Sequence, residues 1–494
     1  MNAAVRSVAI VGGGTTAWLC AAALRRALHH RGLDVLVLDP GRCADDPIGR
    51  WTLPSLRSIH TLLGMKESDL VRRTGATFRL GSEHRGWQGD ASRFVHVHGE
   101  IGIDINGVPF HKYLVRGALE GHTENLEDYS LAAVAARTGK FARPMNGQNP
   151  LTSSFTYGLH LDDSAYCEYV REHAKRLGVR HIEAQLSDVL LKDGNVAALV
   201  LSTGERIAAD YFLDCSGRQA LLMSRVDGTD DWQDWSAWLR NDRMVTARAL
   251  ALDDPPATTR TDATDAGWMW RVALAQSSVA GYVYSSERCG ENEAVRQLRQ
   301  YAPCISEPLS CELRQGRRTR PWTRNCIAIG ASAIELEPLV GADLHLVQLG
   351  VATLIDLFPL DTDSAPEAVE YNRIIGEHAD ALCDFTLAHY RASAGRSSEY
   401  WDTMRAEPLP RRLADKLDLY RANGHILLRD HETFEAVDWA WLLLGSGCLP
   451  DALGLHDSTN LANASVERIT ALRVAIGRLA ASMPRHIDYV RQQR

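Results

Sequence analysis

Three groups of residues in this chain could do chemistry. A glycine turn, Gly12 to Gly14, follows the apolar run Val8 to Val11; a single arginine, Arg79, stands in TGATFRLG (74–81); and two histidines, His96 and His98, alternate in RFVHVHGE. Gly12 permits a tight turn, and Gly14 lets the backbone approach a pyrophosphate seated on the N-terminus of the helix that follows. Thr15 opens that helix, and Ala17 takes the third small position, where helix packs on strand. Asp39 closes a second apolar run, Val35 to Leu38, where a carboxylate accepts hydrogen bonds from ribose. Strand, turn, helix, second strand and acid stand in order, so residues 5–39 predict a dinucleotide site. The guanidinium of Arg79 stays charged, is a poor nucleophile and clamps planar anions in bidentate fashion. Position 79 therefore reads as one that binds rather than delivers, its partner being an anionic substrate group or an internal acid, Glu83 or Glu337. His96 and His98 fall on one side of a strand. No third ligand stands at a matching spacing, so no metal is expected.

These groups need a scaffold. With 494 residues, 45% hydrophobic and 23% charged, the chain exceeds one ordinary domain and can bury a large core. A net charge of −8 and the absence of a sustained basic stripe exclude nucleic-acid and anionic-membrane binding as the expected function. Its apolar runs all fall short of the roughly 18 residues that span a bilayer. Ten cysteines occur singly, without a C-x-x-C pair, which is the usage of a reduced, cytoplasmic enzyme. Residues 195–217 read as a β-hairpin turning at STGE, then a strand ending in Asp214-Cys215-Ser216-Gly217. Residues 325–351 repeat the theme: a strand, Gly330, a loop with Glu337-Pro338, and a late helix. Trp232, Trp235 and Trp238 recur every three residues and predict a helix with one aromatic face. The stretch 140–154, rich in Pro, Gly, Asn and Ser, reads as a loop.

An ordered set of segments carries a resemblance: VGGGTTAW, TGATFRLGSE with Trp87, HVHGEIG, YCEYVREHAKRLGV before LDCSG, DWSAWLRNDR, GWMWRVAL followed by GYVYSSE, NCIAIG with LEPL, EYNRIIGEHADALCDFTLAHY, SEYW and WAWLLLGSGCLP. Over roughly residues 5–450 the chain resembles the flavin-dependent tryptophan halogenases. That resemblance implies FAD, reduced by a separate flavin reductase, and a small aromatic substrate. In such enzymes hypohalous acid formed from halide and oxygen travels down a tunnel to a lysine beside the indole, while a glutamate assists. Here Arg79 stands for the lysine. The family's E-P-L-E-S-T-G is EPLVGAD, which puts Val340 at the glutamate and Gly341, Ala342 and Asp343 at the halide-binding Ser-Thr-Gly. A carboxylate at 343 opposes halide by about 1–4 kcal/mol at 4 Å separation, although an acid at a helix N-terminus is also a favourable cap. The signature W-x-W-x-I-P keeps Trp268 and Trp270, which the resemblance places in the substrate pocket with His96 and His98, and loses its proline. The flavin strap is IGRWTLP (48–54), two residues short, with Arg50 and Trp51 in place of a glycine-rich acidic turn.

The resemblance implies an α/β fold: an FAD-binding doubly wound domain of the single-component flavin monooxygenase type with an inserted mixed β-sheet and a C-terminal helical module. The expected boundaries are 1–350, with the insert at about 75–160 and 230–320, and 351–494. Gly12, Gly14, Thr15, Ala17, Asp39, Arg50, Gly330, Gly341 and Ala342 are expected at the cofactor, and Arg79 and Glu337 at the chemistry. Glu337 reads either as a relocated acid or base or as scaffold. The expected function is oxidation or hydroxylation of an aromatic, indole-like substrate without competent halogenation. Two alternatives stay open: a homologue retired to a binding or partner role, and a halogenase with rebuilt residues. A homodimer is the oligomer considered.

Overall fold

The computed structural model describes residues 4–40, 48–89, 91–145, 149–226, 231–361, 365–461 and 466–493. The chain divides into two compact units, each built from three stretches: 1–76, 161–237 and 311–380 in one, and 77–160, 238–310 and 381–494 in the other. The expected division at 350 is therefore replaced. The C-terminal helices from 381 onward cluster with the inserted sheet, and residues 351–380 stay with the nucleotide unit.

In the nucleotide unit the apolar runs form a six-stranded sheet, with Ser7–Val11 at its centre between Tyr211–Asp214 and Asp34–Asp39, both parallel to it. Cys326–Ala328 extends the sheet in parallel on one side and Arg180–Glu183 on the other. Such near-continuous apolar strands suit a parallel sheet covered on both faces. The helix Thr15–Ala27 buries every residue from Ala17 to Leu24 completely, which its run of small side chains allows. Arg25 and Arg26 lie in its last turn, as the helix dipole favours.

The second unit holds a mixed sheet in which Arg243–Ala249, Ser278–Tyr284, Gly267–Ala273, Thr258–Thr264, Gly81–Arg85 and Arg93–Val97 follow one another edge to edge. Only the junction of Thr258–Thr264 with Gly81–Arg85 is parallel among these neighbours. Alternation divides the Gly267–Ala273 strand. Met269 joins a core with Tyr282, Tyr284, Ala294 and Leu298, while Trp268 and Trp270 turn to the other face. Trp270 lies across Gly281, where an added Cβ would stand 2.4 Å from the indole ring.

The tryptophan-rich segment corrects a sequence expectation. Trp232–Asp234 is a strand paired with Gly316–Arg318, and residues 236–238 form a turn rather than a helix. Asp234 stops the strand by accepting from the backbone and hydroxyl of Ser236, a local turn bond that competes with helix. The loop expected over 140–154 holds as irregular backbone with one short 3-10 turn, Pro150–Ser153; residues 146–148 of it lie outside the described residues.

Candidate functional site

The glycine turn is set by crowding on one side and open space on the other. Gly12 has φ 143°, and a Cβ there would meet the carbonyl oxygen of Cys215 at 2.3 Å. The neighbouring strand end is held that close by the Cys215 N–H donating to Val11 at 2.9 Å. Gly14 is the N-cap of Thr15–Ala27, carries no capping side chain, and a Cβ on it would meet nothing within 4 Å. A bare helix N-terminus facing open space fits a pyrophosphate. Asp39 ends its strand where expected, 1% exposed, with His181 Nε2 3.6 Å from its carboxylate. Gly330 has φ 80° and faces Thr16, 2.9 Å from where its Cβ would stand.

Arg50, on the short strand Gly49–Trp51, joins the ends of three helices. Its guanidinium bonds Asp163 and Asp343, the first residues of Asp163–Arg176 and Asp343–Asp356. Asp163 in turn accepts from the hydroxyl of Thr15, the first residue of the glycine-turn helix, at 2.9 Å. Two carboxylates and one guanidinium thus bind together helix ends that each carry partial positive charge. This changes the expected penalty at position 343. Asp343 does not face an incoming anion alone, because Arg50 offsets its charge. Trp51 reinforces the closure: Gly341, at φ 67°, leaves room for it, and a Cβ at 341 would stand 2.4 Å from its indole. Ala342 is the N-cap of the late helix, and Val340 is buried. Glu337 is 1% exposed; its N–H donates to Gln315 Oε1 at 3.0 Å and its carboxylate receives Gln315 Nε2 at 3.3 Å.

In the other unit Arg79 ends the strand Thr77–Arg79, opposite Gly158, with 2% of its surface exposed. Its Nε donates to Thr259 Oγ1 at 2.9 Å and its Nη2 to Ser82 Oγ at 2.8 Å, while Nη1 lies 2.5 Å from His98 Nε2. A guanidinium only donates, so His98 accepts at Nε2 and carries its proton on Nδ1. A second chain runs behind it. Thr77 donates to the Ala273 carbonyl at 2.6 Å, which leaves its oxygen to accept from His160 Nδ1 at 3.1 Å. His160 Nε2 then accepts from Thr259, 2.9 Å away, whose oxygen receives Arg79. Proton positions are thereby dictated from a backbone carbonyl to the guanidinium. Burial lowers Arg79 to about 9, and it holds His98 and His160 well below the usual imidazole range, with the Arg79 charge adding to the effect.

Of the acids expected to pair with Arg79, Glu83 gives its carboxylate to Arg85 and Arg93. Burial, rather than a neighbouring acid, governs Arg79. His96 bonds Asp438 at 3.0 Å, and its ring lies 6.4 Å from that of His98. Trp268 sits 6.5 Å from Trp87, which meets Trp401 edge-on at 5.2 Å. Thr259, His160, Ser82, Asp438 and Asp163 were missed from sequence. Each is a common polar residue whose partner lies in a distant segment, except Ser82, so no local signal marks them.

Solved structures similar to this chain include a flavin-dependent halogenase from Brevundimonas sp. BAL3, 31% identical over 99% of both chains with a TM-score of 0.93. Another is a flavin-dependent halogenase from Xanthomonas campestris, 30% identical over 99% of both with the same TM-score. Among characterised relatives, the tryptophan 7-halogenase of Kutzneria sp. (strain 744) is 29% identical over 85% of this chain and 82% of its own length. The family model for tryptophan halogenases matches residues 7–459, and the chain belongs to that family of FAD-dependent enzymes, which draw reduced flavin from a separate reductase.

Proposed function

We propose that this protein uses reduced FAD and oxygen to oxidise or hydroxylate an aromatic, indole-like substrate, and that it does not halogenate free tryptophan. One observation carries the reading: the position matching the family's lysine holds a guanidinium anchored to Thr259 and Ser82 and facing His98, fully buried. An amine on a flexible stem can receive and hand on an electrophile. A forked cation pinned by its own protein cannot. The residue at the glutamate position, Val340, offers neither charge nor proton. Reduced FAD, when bound, supplies two electrons, so that one oxygen atom enters the substrate and the other leaves as water. Gly12, Gly14, Thr15 and Ala17 would hold the pyrophosphate end, Asp39 the ribose, and Arg50, Gly330, Gly341 and Ala342 the ring end. Arg79 orients and binds, with His96, His98, Trp268 and Trp270 forming the substrate pocket. Glu337, tied to Gln315, acts as scaffold for the late-helix loop. The reading places the protein in the reducing cytoplasm, where its cysteines stay thiols. Among the described residues no helix is long and apolar enough to cross a membrane.

A second reading rests on the relatives, all of those named above being halogenases. One assay separates the two. With a flavin reductase, NADH, oxygen and bromide, and indole or tryptophan as probe, mass spectrometry should show enzyme-dependent oxygen insertion and no brominated indole. Enzyme-dependent bromination that survives a hypohalite scavenger overturns the proposal in favour of the second reading.

A further inference from the structure

A cavity of about 410 Å³ opens among the C-terminal helices of the second unit, well within the range of small-molecule sites. One wall is apolar, formed by Ala388 and Ala392 of the helix Ala365–Ala392, Ala414 and Leu417 of Arg411–Asn423, and Leu443 of Ala436–Gly445. Leu449, 45% exposed, stands at the rim. The other wall carries Arg391, Arg405 and Arg421 against a single acid, Asp418.

These arginines are unequally satisfied. Arg421 and Asp418 pair at 3.4 Å, both well exposed. Arg405 donates to the Ser393 carbonyl at 2.7 Å and reaches Asp402 at the surface. Arg391 is different: the nearby acid Glu407 gives it a backbone carbonyl only, because the Glu407 carboxylate bonds Arg240. A guanidinium has five donors, so most of those on Arg391 remain for a ligand. Burial and the Arg405 charge act together to lower its pKa, against the pull of Glu407. Such a site gains by taking up an anion. The Tyr420 hydroxyl is satisfied internally, donating to the Cys448 carbonyl at 2.7 Å.

We propose that this cavity binds a small amphipathic carboxylate, its hydrocarbon body against the alanine–leucine wall and its carboxylate between Arg391 and Arg405. Burial holds the Cys448 thiol at this cavity above its usual range. Binding here is independent of flavin and of the reaction proposed above.

The test uses the full-length protein and the fluorescent anion 8-anilinonaphthalene-1-sulfonate, displaced by decanoate or by the neutral decanol. Saturable binding is expected, with decanoate displacing the dye at least tenfold more effectively than decanol. Arg391→Gln combined with Arg405→Gln should weaken decanoate at least tenfold. Because losing Arg391 could release the Glu407 carbonyl it holds, Ala414→Trp provides a second arm: it fills the cavity, keeps both arginines, and should abolish dye binding while an FAD titration is unchanged. Non-saturable dye binding, equal displacement by decanol, or an Ala414→Trp variant that binds like the parent would each overturn the proposal.

Discussion

The glycine turn of the nucleotide unit and the Arg79 cluster of the other unit are built by opposite means. From Gly12 to Ala17, the groups that would meet a pyrophosphate are consecutive backbone atoms, and their geometry follows from a strand, two permissive residues and a helix start. The distant Cys215 adds crowding at Gly12. Around Arg79 nothing is consecutive except Ser82: Thr259 lies 180 residues away along the chain, and His160 and Ala273 complete the hydrogen-bond path from other strands. A site of the first kind is robust to changes elsewhere and fragile at its glycines. A site of the second kind depends on every strand that delivers a partner.

Breaking the turn should have the largest effect. Gly12→Ala places a methyl 2.3 Å from a backbone oxygen at φ 143°, so no side-chain adjustment relieves it. Backbone strain and overpacking together should cost about 3–5 kcal/mol, read as a lowered denaturant midpoint; a midpoint within error of the parent would refute the crowding argument. Next comes Arg79→Met, which strands the buried Thr259, Ser82 and His98. A loss of about 2–4 kcal/mol in chemical denaturation is expected, with Arg79→Lys recovering part of it. Loss of ligand affinity with unchanged stability would instead assign Arg79 to the substrate alone.

The acid limb of stability sharpens the contrast further. His486 donates through Nδ1 to the Pro255 carbonyl at 2.8 Å and accepts at Nε2 from the Phe78 N–H at 3.2 Å, next to Arg79 in the same strand. It must therefore be neutral, and burial lowers it from 6.5 to about 4. The unfolded chain then binds more protons than the folded one between these values, so stability falls as pH drops from about 6.5 through about 4. This group alone accounts for about 3 kcal/mol of that fall. His486→Gln should be less stable at pH 7 and lose a smaller increment on acidification. Parallel pH curves for the two proteins would remove His486 from the account. The smallest effect on folding is expected from Gly14→Val, whose added atoms enter open space. Stability should change by less than about 1 kcal/mol, while FAD affinity, followed by flavin absorbance, falls at least tenfold. Undiminished FAD binding would displace the pyrophosphate from this turn.

Much of the architecture was legible in the sequence because it rests on short-range pattern. Apolar runs of strand length, glycines at a turn and an amphipathic helix are local properties, and Ser7–Val11, Thr15–Ala27, Asp34–Asp39 and Tyr211–Asp214 lie where those patterns put them. The same reasoning failed at Trp232–Trp238. Threefold spacing suits a helix, but a side-chain turn bond at Asp234 and pairing with a strand some eighty residues on decided otherwise. Position 343 was legible as a carboxylate at a helix start, yet its charge could not be judged without Arg50, 293 residues earlier in the chain.

By itself, then, the sequence determined which residues could meet a dinucleotide, which two family side chains are replaced, and that a guanidinium stands at 79. Only the tertiary structure decided that Arg79 is held by Thr259, Ser82 and His98, and that Arg50 draws three helix ends together. The physical reason is range. Backbone conformation and burial preference are written in neighbouring residues, whereas the partner of a buried charge is whichever polar group the folded strands bring within about 3 Å, and one sequence position carries no record of another's arrival.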